Sequence, residues 1–188
     1  RFEGYRSHLV EVDPEAAIAY FAAESREESK IYGLRCNVRT GDVEELHASM
    51  YGAVPVAWSS DHARVFFQDE YLLGDDVLYE IVDGARRVLH GTPIEEREDG
   101  REYPRPGFRS VRMTASDSGL PGVTTLYDEK GPPAYLPLDG GGLEQIPVEG
   151  VVHEGVGELE RLRHLENDRF AAVYNIDGVS WVYDAAFD

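Results

Sequence analysis

Two kinds of hydrophobic spacing run along this 188-residue chain, and the change between them falls near residue 91. Before it, apolar residues recur at intervals of three and four, the spacing of one helical face. After it they come in short runs of β-branched and aromatic residues. Gly, Pro, Asp and Ser break these runs, a pattern of strands and turns.

The first half reads as follows. Tyr5 to Val12 is a candidate strand. Asp13-Pro14-Glu15 then has the chemistry of a helix start, with Asp to cap free N–H groups and Pro in the first turn. An apolar stripe of Ala17, Tyr20 and Phe21 carries that helix to about Ala23. Ile31 to Val38 is a second strand. Asp42 and Glu45 have the spacing of a capping box, and Val43, Leu46 and Met50 follow on one helical face. Val54 to Trp58 is a short strand, placed at an edge or a strand start by Pro55. Ser59-Ser60-Asp61 is a further cap cluster, and the helix expected after it closes at Gly74.

Residues 77–89 fit two structures. Asp83-Gly84 suits a tight hairpin turn and would set Glu80 opposite Arg87. Yet Val77, Leu78, Ile81, Val82, Ala85, Val88 and Leu89 keep helical spacing, with Gly91 and Pro93 where a helix should stop. Helix is the reading preferred here.

Residues 94–107 are charged, nearly free of apolar side chains, and end in Pro104-Arg105-Pro106-Gly107. They read as an exposed loop. Strands are expected over 108–115, 123–127, 134–138 and 145–153. Leu159, Leu162 and Leu165 suggest a short amphipathic helix over 156–166. In the last segment, Asp177-Gly178 sits between two strand-like runs. A two-residue turn there pairs Ile176 with Val179, Tyr174 with Trp181, and Ala172 with Tyr183. Helices thus group before residue 91 and strands after it. The predicted class is α+β: a helix-rich N-terminal half packed on a mainly antiparallel sheet formed largely by the C-terminal half, in a single domain over 1–188.

Charge changes the picture more than any other compositional fact. Thirty-six acidic residues face eighteen basic ones, a formal charge of −18, and only Lys30 and Lys130 are lysines. Such a chain repels nucleic-acid phosphates and anionic membranes and attracts basic partners. No apolar run approaches the ~18 residues of a membrane span. Cys36, the single cysteine, allows no internal disulfide and points to a reducing, cytoplasmic setting. The chain begins at Arg1, so the sequence leaves a processed leader open.

Chemistry-bearing motifs are sparse. There is no phosphate loop, HExxH, paired CxxC or GxSxG, and Gly140-Gly141-Gly142 lacks the Lys of a phosphate cradle. No metal or cofactor is expected. The acid–base candidates are Asp61 with His62 and His153 with Glu154, since a carboxylate can orient an imidazole that titrates near neutrality. Neighbours on a strand point to opposite faces, however, which weakens the second pair. Tyr174, Trp181 and Tyr183 form either a core anchor, the favoured reading, or a stacking platform for a ligand. Arg109 and Arg112, with Arg105, make a basic patch that balances local carboxylates, the favoured reading, or meets an anionic small molecule or an acidic partner surface. Asp69, Glu70, Asp75 and Asp76 read as a solvated acidic turn.

Two functions follow as expectations. The first is an acidic, soluble protein-binding module of the inhibitor or immunity type, neutralising a basic partner through Glu95, Glu96, Glu98 and Asp99. The alternative is a small metal-independent enzyme, a cyclase, isomerase or hydrolase, with an aromatic-lined pocket over the C-terminal sheet.

Overall fold

A computed structural model describes residues 3–166 and 168–187. They form antiparallel sheets that follow one another along the chain. The first holds β1 (Arg6–Asp13), β2 (Ile18–Glu24), β3 (Ile31–Asn37) and β4 (Val43–Ser49); the second holds β5 (Val54–Trp58), β6 (Val65–Leu72), β7 (Asp75–Val82) and β8 (Ala85–His90). The third holds β9 (Phe108–Arg109), β10 (Gly119–Thr124), β11 (Pro133–Pro137) and β12 (Glu144–Gln145); the fourth holds β13 (Gly157–His164), β14 (Arg169–Ile176) and β15 (Val179–Ala186). Each is an up-and-down meander whose neighbours in sequence are neighbours in the sheet. The sheets stack face to face in chain order, which makes this a β-propeller of four blades.

The α+β expectation is therefore wrong, and so is each helix it contained. The one helical turn among the described residues is a 3-10 turn at Ile94–Glu96. The local signals were real but served turns. Asp13 Oδ1 accepts the N–H groups of Glu15 and Ala16, both at 2.9 Å, and the chain then reverses through Ala17 at φ 56° into β2. Asp61 Oδ1 likewise accepts from Ser59 Oγ at 2.6 Å and from Ala63 N at 2.9 Å. The segment expected as a helix from Asp42 is β4, and the one expected before Gly74 is β6.

Residues 77–89 are the hairpin, not the helix. Asp83 and Gly84 have φ of 51° and 77°, both positive as a type I′ turn requires. Helical spacing misled because β7 lies between two other blades and is buried on both faces from Asp75 to Glu80. A strand buried on both faces shows no alternation of apolar and polar residues. A second cause operates in β13. A bulge between Leu159 and Arg161 adds one residue, so Leu159 lies opposite Tyr174 and Leu162 opposite Ala172. The two leucines, three apart, therefore share a sheet face and imitate a helix.

Apolar layers between blades hold the stack together. Phe67, Val77 and Tyr79 pack with Leu46 between the first and second blades. Ala57, Phe66 and Leu78 meet Phe108, Val111, Leu120 and Leu136 between the second and third. Val123 meets Leu159 and Ala172 between the third and fourth. Gly33 marks the tightest approach of the first two blades: a Cβ there would lie 2.4 Å from the carbonyl oxygen of Ala53.

The outward faces of the end blades are different. On the first, Leu9 is 58 % and Val43 is 53 % exposed, and on the fourth Val182 is 66 % exposed. The total accessible surface is 11198 Å², against about 9,000 Å² for a compact monomer of this size.

Candidate functional site

Four side-chain clusters carry chemistry-bearing groups.

The first joins the first two blades. His62 sits in a turn at φ 57° and is buried. Its Nε2 is 3.2 Å from Asp13 Oδ2, and its Nδ1 is 2.9 Å from the hydroxyl of Tyr20. A carboxylate only accepts, so Nε2 carries the proton and Nδ1 accepts from Tyr20. Trp58 stacks on Tyr20 with centroids 4.0 Å apart, and Arg35 Nη1 donates to the His62 carbonyl at 2.8 Å. Hydrogen bonds from Ala16 N–H and then His62 hold the Asp13 carboxyl below its usual range, while burial pushes Tyr20 up to about 12. The relay ends at Tyr20, which is 0 % exposed. A proton moved along it reaches the core, not a substrate, so the cluster locks two blades together. His62 is thus a partner of Asp13 and not of Asp61.

The second cluster gathers His153, Tyr174, Trp181 and Tyr183. The His153 ring lies 4.8 Å from Tyr174, 5.6 Å from Tyr183 and 6.0 Å from Trp181. The Tyr183 hydroxyl lies 2.8 Å from His153 Nδ1 and accepts from His153 N at 3.2 Å. Glu154 is exposed, and among the described residues no hydrogen bond or ion pair joins it to His153. Burial raises the Tyr174 hydroxyl. Beside these rings, a crevice of about 660 Å³ between the third and fourth blades is lined by Pro121, Leu162, Phe170, Tyr174 and Tyr183. Trp181 stays 38 % exposed, so the aromatic face is a half-buried cluster and only partly a core anchor.

The third cluster is cationic. Arg109 lies 3.6 Å from Glu158. Arg112 donates to the carbonyls of Val111 at 2.8 Å and Val56 at 3.3 Å, and pairs with Glu11 at 3.1 Å. An open hollow of about 390 Å³ next to it is lined by Ser110, Arg112, Arg161, Leu162 and Arg163. Sequence reasoning found Arg112 but missed Arg161 and Arg163. Read as a helix, residues 156–166 gave no reason to set alternate arginines beside β9. Arg105, also in the predicted patch, lies exposed in the loop before it.

The fourth is the acidic group of the second blade: Glu70 is exposed beside the turn at Gly74, but Asp69, Asp75 and Asp76 are buried and not solvated. Asp69 is buried and accepts from Ser49 Oγ at 2.7 Å, Ala53 N at 2.8 Å and Tyr79 OH at 2.9 Å. Arg97 holds Asp75 with two bonds of 2.7 Å. Asp76 accepts from Phe108 N at 2.5 Å, and burial pushes its carboxyl up to about 6. Among the described residues no His, Cys, Asp and Glu group is arranged to hold a metal. Of the predicted partner-binding acids, Glu95 pairs with Arg86 and Glu98 with Arg101 at 3.6 Å, and Glu96 and Asp99 are exposed on the same loop.

No protein-family model and no curated protein matches this sequence. Solved structures do match. TolB from Acinetobacter baumannii aligns with a TM-score of 0.57 at 11 % identity, over 97 % of this chain and 44 % of that one. A structure from an analysis of two prolyl endopeptidases aligns with a TM-score of 0.57 at 14 % identity, over 97 % of this chain and 27 % of that one. The chain spans less than half the length of either. At such identity the likeness is one of fold, the β-propeller. It overturns both functional expectations. The neutralising module and the small enzyme each presumed helices packed on a C-terminal sheet, and no such layer exists. Among the described residues no helix is long and apolar enough to cross a membrane.

Proposed function

We propose that this chain is a non-enzymatic interaction scaffold, an arc of propeller blades whose open end faces pack against further propeller sheet. One observation carries the reading. Apolar side chains pack between each pair of neighbouring blades, whereas Leu9 and Val43 on the outward face of the first blade stand in solvent. Phe21 and Leu34 share that face by register with Leu9, so the exposed residues continue an apolar surface. The excess of accessible surface supports the same reading. The relay that ends in a buried Tyr20 argues against acid–base catalysis at the His62 cluster.

With no other sheet present, the open face should pair with a second copy. Light scattering on the purified chain tests this. Concentration-dependent association, abolished by Leu9→Glu with Val43→Glu at unchanged thermal stability, is the expected result. A chain that stays monomeric, with a thiol introduced at position 9 closed to labelling, would remove the reading.

A further inference from the structure

We propose that the hollow where all four blades meet binds a small organic ammonium ion, through the Glu11 carboxylate and against the ring of Trp58.

The first reason is convergence. The hollow has a volume of about 280 Å³. The first blade lines it with Glu11 and Asp13, the second with Trp58, the third with Asp117 and the fourth with His164. A junction of several sheets can gather polar groups that no single sheet holds, and small-molecule sites favour such places.

The second reason is the sign of the charge. Glu11, Asp13 and Asp117 are carboxylates, and Arg112 is the one guanidinium among the lining residues. Arg112 has nothing left to offer an anion. Its Nη1 donates to the carbonyls of Val111 and Val56, and its Nη2 sits 3.1 Å from Glu11. Three carboxylates against one guanidinium leave the hollow negative, in a chain whose formal charge is already −18. Such a cleft concentrates cations.

The third reason is an acceptor without a donor. Asp13 Oδ1 takes the N–H groups of Glu15 and Ala16, and its Oδ2 meets His62. Asp117 takes the N–H and the hydroxyl of Ser60 at 3.0 and 2.6 Å. Glu11 is different. Its Oε2 is buried and accepts no hydrogen bond, and its partner among the described residues is the Arg112 ion pair alone. A buried acceptor left unmatched is costly, and an ammonium group carries three N–H donors. The rest of the wall is apolar: Val12, Pro14, Met113 and Ala115 line it with Trp58, whose ring face attracts a cation. The ligand class is therefore a primary ammonium ion on a compact apolar body. The volume falls just under the ~300–1,000 Å³ of sites for drug-sized ligands, which sets the upper size.

The probe is benzylammonium, titrated into the full chain at low ionic strength, with benzyl alcohol and benzoate as its neutral and anionic counterparts. Calorimetry gives the affinity. Fluorescence in the Trp181→Phe variant gives the place, because Trp58 is then the single tryptophan. The expected result is saturable binding of one equivalent of benzylammonium with a change in Trp58 emission. Benzyl alcohol should bind at least tenfold more weakly, and benzoate not at all. Glu11→Gln should weaken benzylammonium at least tenfold, Glu11→Asp should restore part of that loss, and Glu144→Gln on the distant β12 should change nothing. Circular dichroism checks that each variant folds, and the three probes on the parent chain decide the matter even if Glu11→Gln does not. Absence of saturable binding, equal binding of benzyl alcohol, or full affinity in a folded Glu11→Gln variant would overturn the assignment. None of these results bears on the packing of the end faces.

Discussion

Glu80 and Arg87 lie directly opposite one another across the hairpin of β7 and β8 and form an ion pair. The Glu80 carboxylate is buried, and Arg64, just before β6, grips it with bonds of 3.0 and 3.1 Å. The two arginines are partly exposed, so the pair is asymmetric. Removing the acid lets both cations turn to water. Removing the cations strands a buried carboxylate. We expect Arg64→Met with Arg87→Met to cost about 3–5 kcal/mol of stability, and Glu80→Gln about 1–2 kcal/mol. Urea denaturation gives both values, and the reverse order would show that the carboxylate reaches water.

Asp76 carries a pH dependence of unusual sign. Its folded pKa, about 6, lies above the ordinary value of 3.8, so the folded chain binds more protons than the unfolded one between those limits. Its contribution to stability is therefore present in acid and falls as pH rises through that window. Asp76→Asn keeps an acceptor for Phe108 N–H and removes the titration. The variant should gain on the parent chain between pH 4 and 7, by about 3 kcal/mol at most. Asp13, whose pKa is lowered, acts in the opposite direction: its stabilisation is present above its ordinary pKa of 3.8 and is lost as pH falls through the folded value. Thermal melts of parent and variant from pH 4 to 7 check the sign. A constant difference would mean that Asp76 titrates normally.

The Tyr20 hydroxyl meets His62 Nδ1 at 2.9 Å in a buried setting. Tyr20→Phe leaves that nitrogen unpaired and keeps the ring stacked on Trp58. A loss of about 1–3 kcal/mol is expected. Hydrogen exchange should quicken at the seam between β1 and β5 in the same variant, and an unchanged seam would argue that the relay locks nothing.

Gly33 tests how closely the first two blades must approach. Gly33→Ala places a methyl group against the Ala53 carbonyl and the ring of Phe67. Backbone cannot yield as a side-chain tip can, so about 1–3 kcal/mol should be lost. Gly142→Ala, where a Cβ meets nothing within 4 Å, serves as the control. Equal stability of the two variants would show that the blades have slack.

Much of the turn chemistry was determined by sequence alone. Asp177-Gly178 adopts φ of 49° and 81°, and the pairs Ile176 with Val179, Tyr174 with Trp181 and Ala172 with Tyr183 all occur. A type I′ turn of two residues leaves only one register, so nothing distant is needed to set it. The capping chemistry of Asp13 and Asp61 was also local, because side-chain oxygens reach N–H groups two or three residues on in turns as they do in helices. What followed each turn was decided by tertiary packing. β7 is apolar on both sides because blades lie on both sides, and β13 shows helical spacing because a bulge skips one residue. Both patterns arise from neighbours far along the chain, and neither leaves a strand's period of two to read. The same holds for the candidate site: Glu11, Trp58, Asp117 and His164 come from four different blades, and only the stacking of those blades puts them on one hollow.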